Sequence, residues 1–214
     1  SDHGRLPDSE LDQYYTASHV ARDLYEVFRE HSDPRHYRMV EPSAGTAAFF
    51  SLLPPGSLGY DLDPRCSGVQ RADFLAVDLP RDRPVAIIGN PPFGKNASMA
   101  VAFFNRAARA ADVIAFILPA SIRKASIENR LDRAFHRIRE VPVPKNAFLF
   151  RSEPFHVPAV FQIWERRSYE RELQSVETTH PDFEFTKPEL ADFAIQRVGA
   201  NAGRVHLELK MSPS

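Results

Sequence analysis

The sequence predicts an α/β fold, doubly wound around a mostly parallel sheet, and three observations carry that prediction. Short apolar runs recur at residues 37–40, 58–60, 85–88 and 113–118, each bounded by Gly, Pro or Asp. Segments with helical periodicity lie between some of them, and strands alternating with helices give a parallel sheet covered on both faces. Small or acidic residues follow several runs directly, which places ligand-binding chemistry at the carboxyl edge of the sheet.

The elements follow in chain order. Val20, Leu24, Val27 and Phe28 recur at helical spacing within residues 17–30, and Thr16 or Ser18 is placed to cap the start. A polar hinge at residues 31–36 ends this opening segment. Ala97, Ala100, Val101, Phe104, Ala107, Ala108 and Ala111 mark the clearest later helix. Runs at 147–150 and 159–164 follow each other closely and predict an antiparallel pair at the sheet edge. Beyond Tyr169 come a charged stretch at 170–177, a Pro-punctuated segment at 181–188 and an alternating run at 205–209. The expected organisation is therefore a helical segment at 1–36, a core at 37–169 and an appendage at 170–214.

Composition removes several classes. With 214 residues, 43% hydrophobic and 26% charged, the chain fits one globular domain, or one with a small appendage. No apolar run approaches the roughly 20 residues that span a bilayer. The polar first residues show no signal pattern, so a cytoplasmic location is expected. One cysteine, Cys66, excludes an internal disulfide or a cysteine-based zinc site, and eight histidines show no His-x-x-x-His pair, so no metal is expected. A net charge of -1 argues against coating nucleic acid by bulk electrostatics. Charge is uneven, however: residues 119–171 hold 11 Lys and Arg against 6 Asp and Glu, a local +5. A solvated helix face would account for that excess equally well.

Four segments carry the chemistry. Residues 41–49, Glu-Pro-Ser-Ala-Gly-Thr-Ala-Ala-Phe, follow the first run directly and lead toward a helix. Gly45, with the neighbouring Glu41, Pro42, Ser43 and Ala44, would let backbone approach a ligand, although a plain strand-to-helix turn has the same composition. The second run ends at Asp61-Leu62-Asp63-Pro64, where Asp61 is placed to hydrogen-bond both hydroxyls of a ribose and Asp63 suits a turn. Asp73 can accept from an adenine amino group and Phe74 can face the ring, or the two are a surface Asp and a core Phe.

The most informative segment is Asn90-Pro91-Pro92-Phe93, directly after a buried run. Two prolines hold the backbone extended and remove competing donors. The Asn90 amide oxygen and the Pro91 carbonyl would both accept from one planar amino group, turning its lone pair toward an electrophile. Phe93 would stack on the ring carrying that group. Positioning and fixed dipoles, not a strong base, would do the catalysis.

Taken in order, these segments resemble the Rossmann-like amino-methyltransferases, above all the DNA adenine-N6 group, from about residue 12 to residue 166. The resemblance implies a seven-stranded, mostly parallel sheet with an antiparallel edge strand, and S-adenosyl-L-methionine as cofactor. Residues 11–16 resemble the segment reaching over the methionine part of that cofactor, with Tyr15 beside it and Thr16 meeting the carboxylate. Residues 41–49 resemble the first cofactor motif, with Ala47 in place of its usual second glycine. Asp61 with Leu62 matches the ribose site, Asp73 with Phe74 the adenine site, and Asn90 to Phe93 the catalytic tetrapeptide. Phe155 falls near a motif that walls the base pocket. Arg123 and Lys124 are expected at phosphates flanking a flipped base.

Only about 45 residues follow Tyr169, where sequence-specific members carry a sizeable recognition domain. Specificity would come from a partner subunit, the tail, or a single-stranded substrate. Nucleic acid, DNA in particular, is the expected partner, with no membrane and no metal. The same tetrapeptide logic also serves guanine N2, cytosine N4, an RNA base or a protein glutamine amide, and a non-catalytic subunit would keep the fold. A dinucleotide oxidoreductase lacks its Gly-x-Gly-x-x-Gly here.

Overall fold

A computed structural model describes residues 15–150, 153–175, 184, 186–187, 190–195 and 203–207. It divides into two compact units, Ser1–Gln174 and Ser175–Ser214. In the first, the strands in chain order are β1 (Tyr15–Thr16), β2 (Arg38–Glu41), β3 (Leu58–Asp61), β4 (Val69–Arg71), β5 (Val85–Gly89), β6 (Val113–Pro119), β7 (Phe135–Pro142), β8 (Phe148–Phe150), β9 (Glu153–Phe155) and β10 (Ala159–Arg166). The helices are α1 (Ser18–His31), α2 (Ser98–Ala108) and the short α3 (Ala125–Glu128). The central sheet has seven strands in the order β4-β3-β2-β5-β6-β10-β7. β10 runs antiparallel to both neighbours, and the other pairs in this sheet are parallel.

Each face of this sheet is closed by one long helix, and strand alternation explains how. Val40, Ile87, Ile114, Phe116 and Trp164 point one way and pack with Ala100, Val101, Phe104 and Ala107 of α2. Met39, Ala86, Ile88, Ala115, Phe161 and Ile163 point the other way and pack with Val20, Leu24 and Phe28 of α1. β5 and β6 are buried almost throughout, as central strands covered on both sides must be. The cap of α1 differs from expectation: its N-cap is Ala17, with no side-chain hydrogen bond, because Thr16 is committed to β1.

Three further differences separate the structure from the sequence reading. The runs at 147–150 and 159–164 do not pair with each other. β8 pairs with β1 and β9 in a separate three-stranded sheet, while β10 inserts between β6 and β7. The antiparallel strand is thus one place in from the edge, and β7 is outermost. No α-helix follows residues 41–49: Ala47 adopts a left-handed φ of 64° and the chain makes only a 3-10 turn, Phe50–Leu52, before Pro54 and Pro55. In the second unit, Ala194–Ile195 and Val205–His206 form an antiparallel pair, β11 and β12. Most of the 181–188 segment lies outside the described residues.

No helix among the described residues is long and apolar enough to cross a membrane.

Candidate active site

The strand order reverses between β2 and β5, since β3 and β4 build outward from one and β6 from the other. Ligands bind in the crevice at such a switch point, outside the carboxyl ends of the strands. A cleft of about 220 Å³ opens there. Its walls come from the ends of four strands: Pro42, Ser43 and Gly45 after β2, Asp61 to Asp63 after β3, Asp73 and Phe74 after β4, and Asn90 and Pro92 after β5. Tyr15 of β1 and Phe103 of α2 complete it.

The turns are tied to one another. The backbone N–H of Gly45 donates to Asp61 Oδ2 at 2.7 Å, and that of Asp63 donates to Oδ1 at 2.8 Å. Ser43 Oγ donates to the carbonyl of Asn90 at 3.0 Å, linking the first turn to the tetrapeptide across adjacent strands. Gly45 has φ +52° and lies under the Tyr15 ring, so a Cβ there would come within 2.9 Å of Tyr15 Cδ1. Arg65 covers the same ring, its guanidinium carbon 5.5 Å from the centroid. Gly45 therefore needs both its freedom at positive φ and its missing side chain.

Several expected residues sit behind the cleft instead of in its wall. Thr16 and Ala44 are buried, and neither lines the cleft. Glu41 is 2% exposed, beneath Pro42, and Gly89 leaves room for its side chain. Burial pushes its carboxyl well above the usual range. A hydrogen bond from the Phe50 backbone opposes that shift, and the charge of Asp61 adds to it. Its Oε2 has no hydrogen-bond partner among the described residues. Pro91 is buried, and Phe93 packs edge-on against Phe148 of β8, with centroids 6.4 Å apart.

The adenine pair also differs from its reading. Asp73 Oδ1 accepts from the N–H of Leu75 and so caps a 3-10 turn, Phe74–Ala76. Phe74 is 2% exposed and stacks on Phe103 at 5.6 Å, so this ring is part of the core and presents little area to the cleft. Phe103 and Ala72, which also line the cleft, were missed because neither carries a polar group that would mark it as a ligand contact.

No family model matches the sequence, and no curated protein matches it. The likeness is in three dimensions. PH1948 from Pyrococcus horikoshii, provisionally named as an RNA methyltransferase, superposes with a TM-score of 0.58 at 15% identity, over 76% of this chain and 90% of that one. The 23S rRNA methyltransferase ErmE gives 0.50 at 16% identity, over 76% and 72%. Magnesium protoporphyrin IX methyltransferase from Synechocystis PCC 6803, solved with bound SAM, gives 0.50 at 11% identity, over 69% and 79%. The chain has the methyltransferase fold.

In that fold the basic region after β6 is largely committed to internal pairs. Arg123 donates through Nε and Nη2 to Glu140 Oε1, at 3.0 and 2.7 Å. Arg137 pairs with Glu128 and Glu140, Arg133 with Glu170, and Arg167 with Glu165. Arg171 donates to the carbonyls of Phe135, Glu128 and Leu131. The local excess of charge therefore overstates what is left for a ligand. Arg123 is held away from the expected phosphate role, while Lys124 is exposed beside it. The backbone of Phe155 lies opposite Phe148, and its side chain is outside the described residues.

Proposed function

We propose that this chain is an S-adenosylmethionine-dependent methyltransferase that methylates an exocyclic amino nitrogen, with adenine N6 in nucleic acid the leading acceptor. The observation that carries this reading is the convergence of Gly45, Asp61, Asp73 and Asn90 on one cleft at the switch point of a methyltransferase fold.

The donor set suits that cofactor. Asp61, Asp63 and Asp73 line the cleft and, among the described residues, no Lys or Arg does; Asp63 is paired with Arg71 and Arg65, so Asp61 and Asp73 supply the charge that favours a sulfonium with an ammonium group. Asp61 would hold the ribose hydroxyls through its remaining acceptor capacity, Asp73 Oδ2 the adenine amino group, and Tyr15 would close over the methionine end. When bound, the cofactor supplies an electrophilic methyl group. The Asn90 side-chain oxygen and the Pro91 carbonyl accept from the substrate amino group, and Phe93, braced by Phe148, stacks on its ring. The resemblance of the tetrapeptide to adenine-N6 enzymes favours DNA. RNA enters because two structural neighbours are named as RNA methyltransferases.

The test is calorimetric titration with S-adenosylmethionine and S-adenosylhomocysteine, followed by tritiated methyl transfer to single-stranded and duplex DNA and RNA. Binding with label on adenine supports the reading. Absence of cofactor binding overturns it.

A further inference from the structure

The ends of β5 and β6 meet beyond the tetrapeptide. The 3-10 turn Lys95–Ala97, two residues after Phe93, lies against the 3-10 turn Ala120–Arg123. Arg130 is tied to the first of them, donating through Nη1 to the carbonyl of Asn96 at 3.2 Å. Three cations thus share the rim next to Asn90–Phe93: Lys95, Lys124 and Arg130, all exposed.

What surrounds them matters as much. No Asp or Glu occurs from residue 83 to 111, nor from 113 to 127. Glu128, the next acid, is 4% exposed and paired with Arg137, so it does not neutralise the rim. Lys95 and Lys124 make no ion pair among the described residues, in contrast to Arg123, which Glu140 holds. Elsewhere in the 119–171 region most arginines have a carboxylate or several carbonyls as partners. An unneutralised group of cations is costly in self-repulsion, and it fits a polyanionic ligand.

We infer that Lys95, Lys124 and Arg130 form a binding site for the phosphate backbone of a single-stranded polynucleotide, holding the strand across the tetrapeptide while one base enters. The backbone of Asn96 is held in a left-handed turn, φ 52°, and Arg130 steadies it, so Lys95 sits on a braced turn. Phosphate contacts position a strand without reading its sequence. The inference rests on the proposed function only in naming the polymer that supplies the base.

Its test needs no cofactor. Fluorescence anisotropy with labelled oligodeoxyadenylate and oligoadenylate is measured across a salt series. Each phosphate contact on a single strand contributes roughly 0.7 to the slope of log K against log salt, so K95Q/K124Q/R130Q lowers the slope by about 2 and weakens both polymers alike. R130K, which keeps the charge and the Asn96 bond, retains the wild-type slope. R29Q, near the end of α1 and on the chain leading to the start of β2, removes one charge far from the rim and leaves the slope unchanged. Equal thermal unfolding of all variants confirms that they fold.

A triple variant with the wild-type slope overturns the inference even if methyl transfer to a polynucleotide is seen. Transfer to a glutamine-bearing peptide with no oligonucleotide binding overturns it too. Rim-dependent binding by a chain that takes no S-adenosylmethionine sustains it and overturns the proposed function instead.

Discussion

Asp61, at the end of β3, holds the turn after β2 by accepting a 2.7 Å hydrogen bond from the backbone N–H of Gly45. One carboxylate thus both shapes the turn and stands in the cleft wall. Asp61→Ala loses a charged hydrogen bond of roughly 1.5–3 kcal/mol, and S-adenosylhomocysteine affinity is expected to fall roughly ten- to hundredfold. Asp61→Asn, which keeps an acceptor, loses less. Calorimetry showing unchanged affinity in the Ala variant would remove Asp61 from the site.

Gly45→Ala places a methyl group against the Tyr15 ring at φ +52°. Left-handed backbone costs an L-residue roughly 1–2 kcal/mol, and the clash adds to it. Urea unfolding is expected to show a loss of about 1–3 kcal/mol, with cofactor affinity reduced as Tyr15 is displaced. A variant as stable as the parent contradicts this account.

Asn90→Ala separates the loop from its chemistry. Ser43 holds the backbone carbonyl of Asn90, which Ala retains, so the turn stays in place. Turnover is expected to drop about 10²- to 10³-fold, the usual cost of losing one preorganised polar group, with cofactor affinity nearly unchanged. Wild-type turnover on a verified substrate would rule out the catalytic role.

Glu41 makes stability depend on pH in a definite direction. Burial raises its carboxyl well above the ordinary range, so at intermediate pH the folded chain keeps a proton that the unfolded chain has lost. Stability from this group is full below the unfolded value of about 4.3 and declines as pH rises toward the folded one. Glu41→Gln is expected to gain on the parent over that window. A pH-independent difference in urea unfolding between the two would refute this.

Much of this was legible in the chain, for physical reasons. Residues 85–88 and 113–118 are apolar throughout because β5 and β6 are covered on both faces, and α1 and α2 carry the period their buried stripes require. Asn90 could be found because it follows such a strand directly, and Asp61 because it is the acidic end of a short run that Gly and Asp bound. β7 escaped notice because it is the outermost strand and alternates charged with apolar residues, Arg137 and Arg139 beside Phe135 and Ile138. Tertiary pairing was hidden as well: nothing local tells residues 148–150 to join β1 instead of the nearby β10. Phe74 stayed open between ligand wall and core because an aromatic beside a carboxylate looks the same in both; its ring stacks on Phe103 and still lines the cleft. Ala47 keeps a left-handed φ of 64°, with its methyl buried, a backbone conformation that glycine adopts more readily.

The three-stranded sheet has a consequence for how the molecule is made. Tyr15 pairs with Leu149, a separation of 149 minus 15, or 134 residues. During synthesis the N-terminal strand has no partner until nearly the whole central sheet has been produced. Contacts so distant in sequence close late, after the loop entropy between them has been overcome. The cleft wall formed by Tyr15 is therefore assembled late. A nascent chain stalled before residue 148 would lack both β8 and β10, so that Tyr15 and β7 alike would wait for their strand partners.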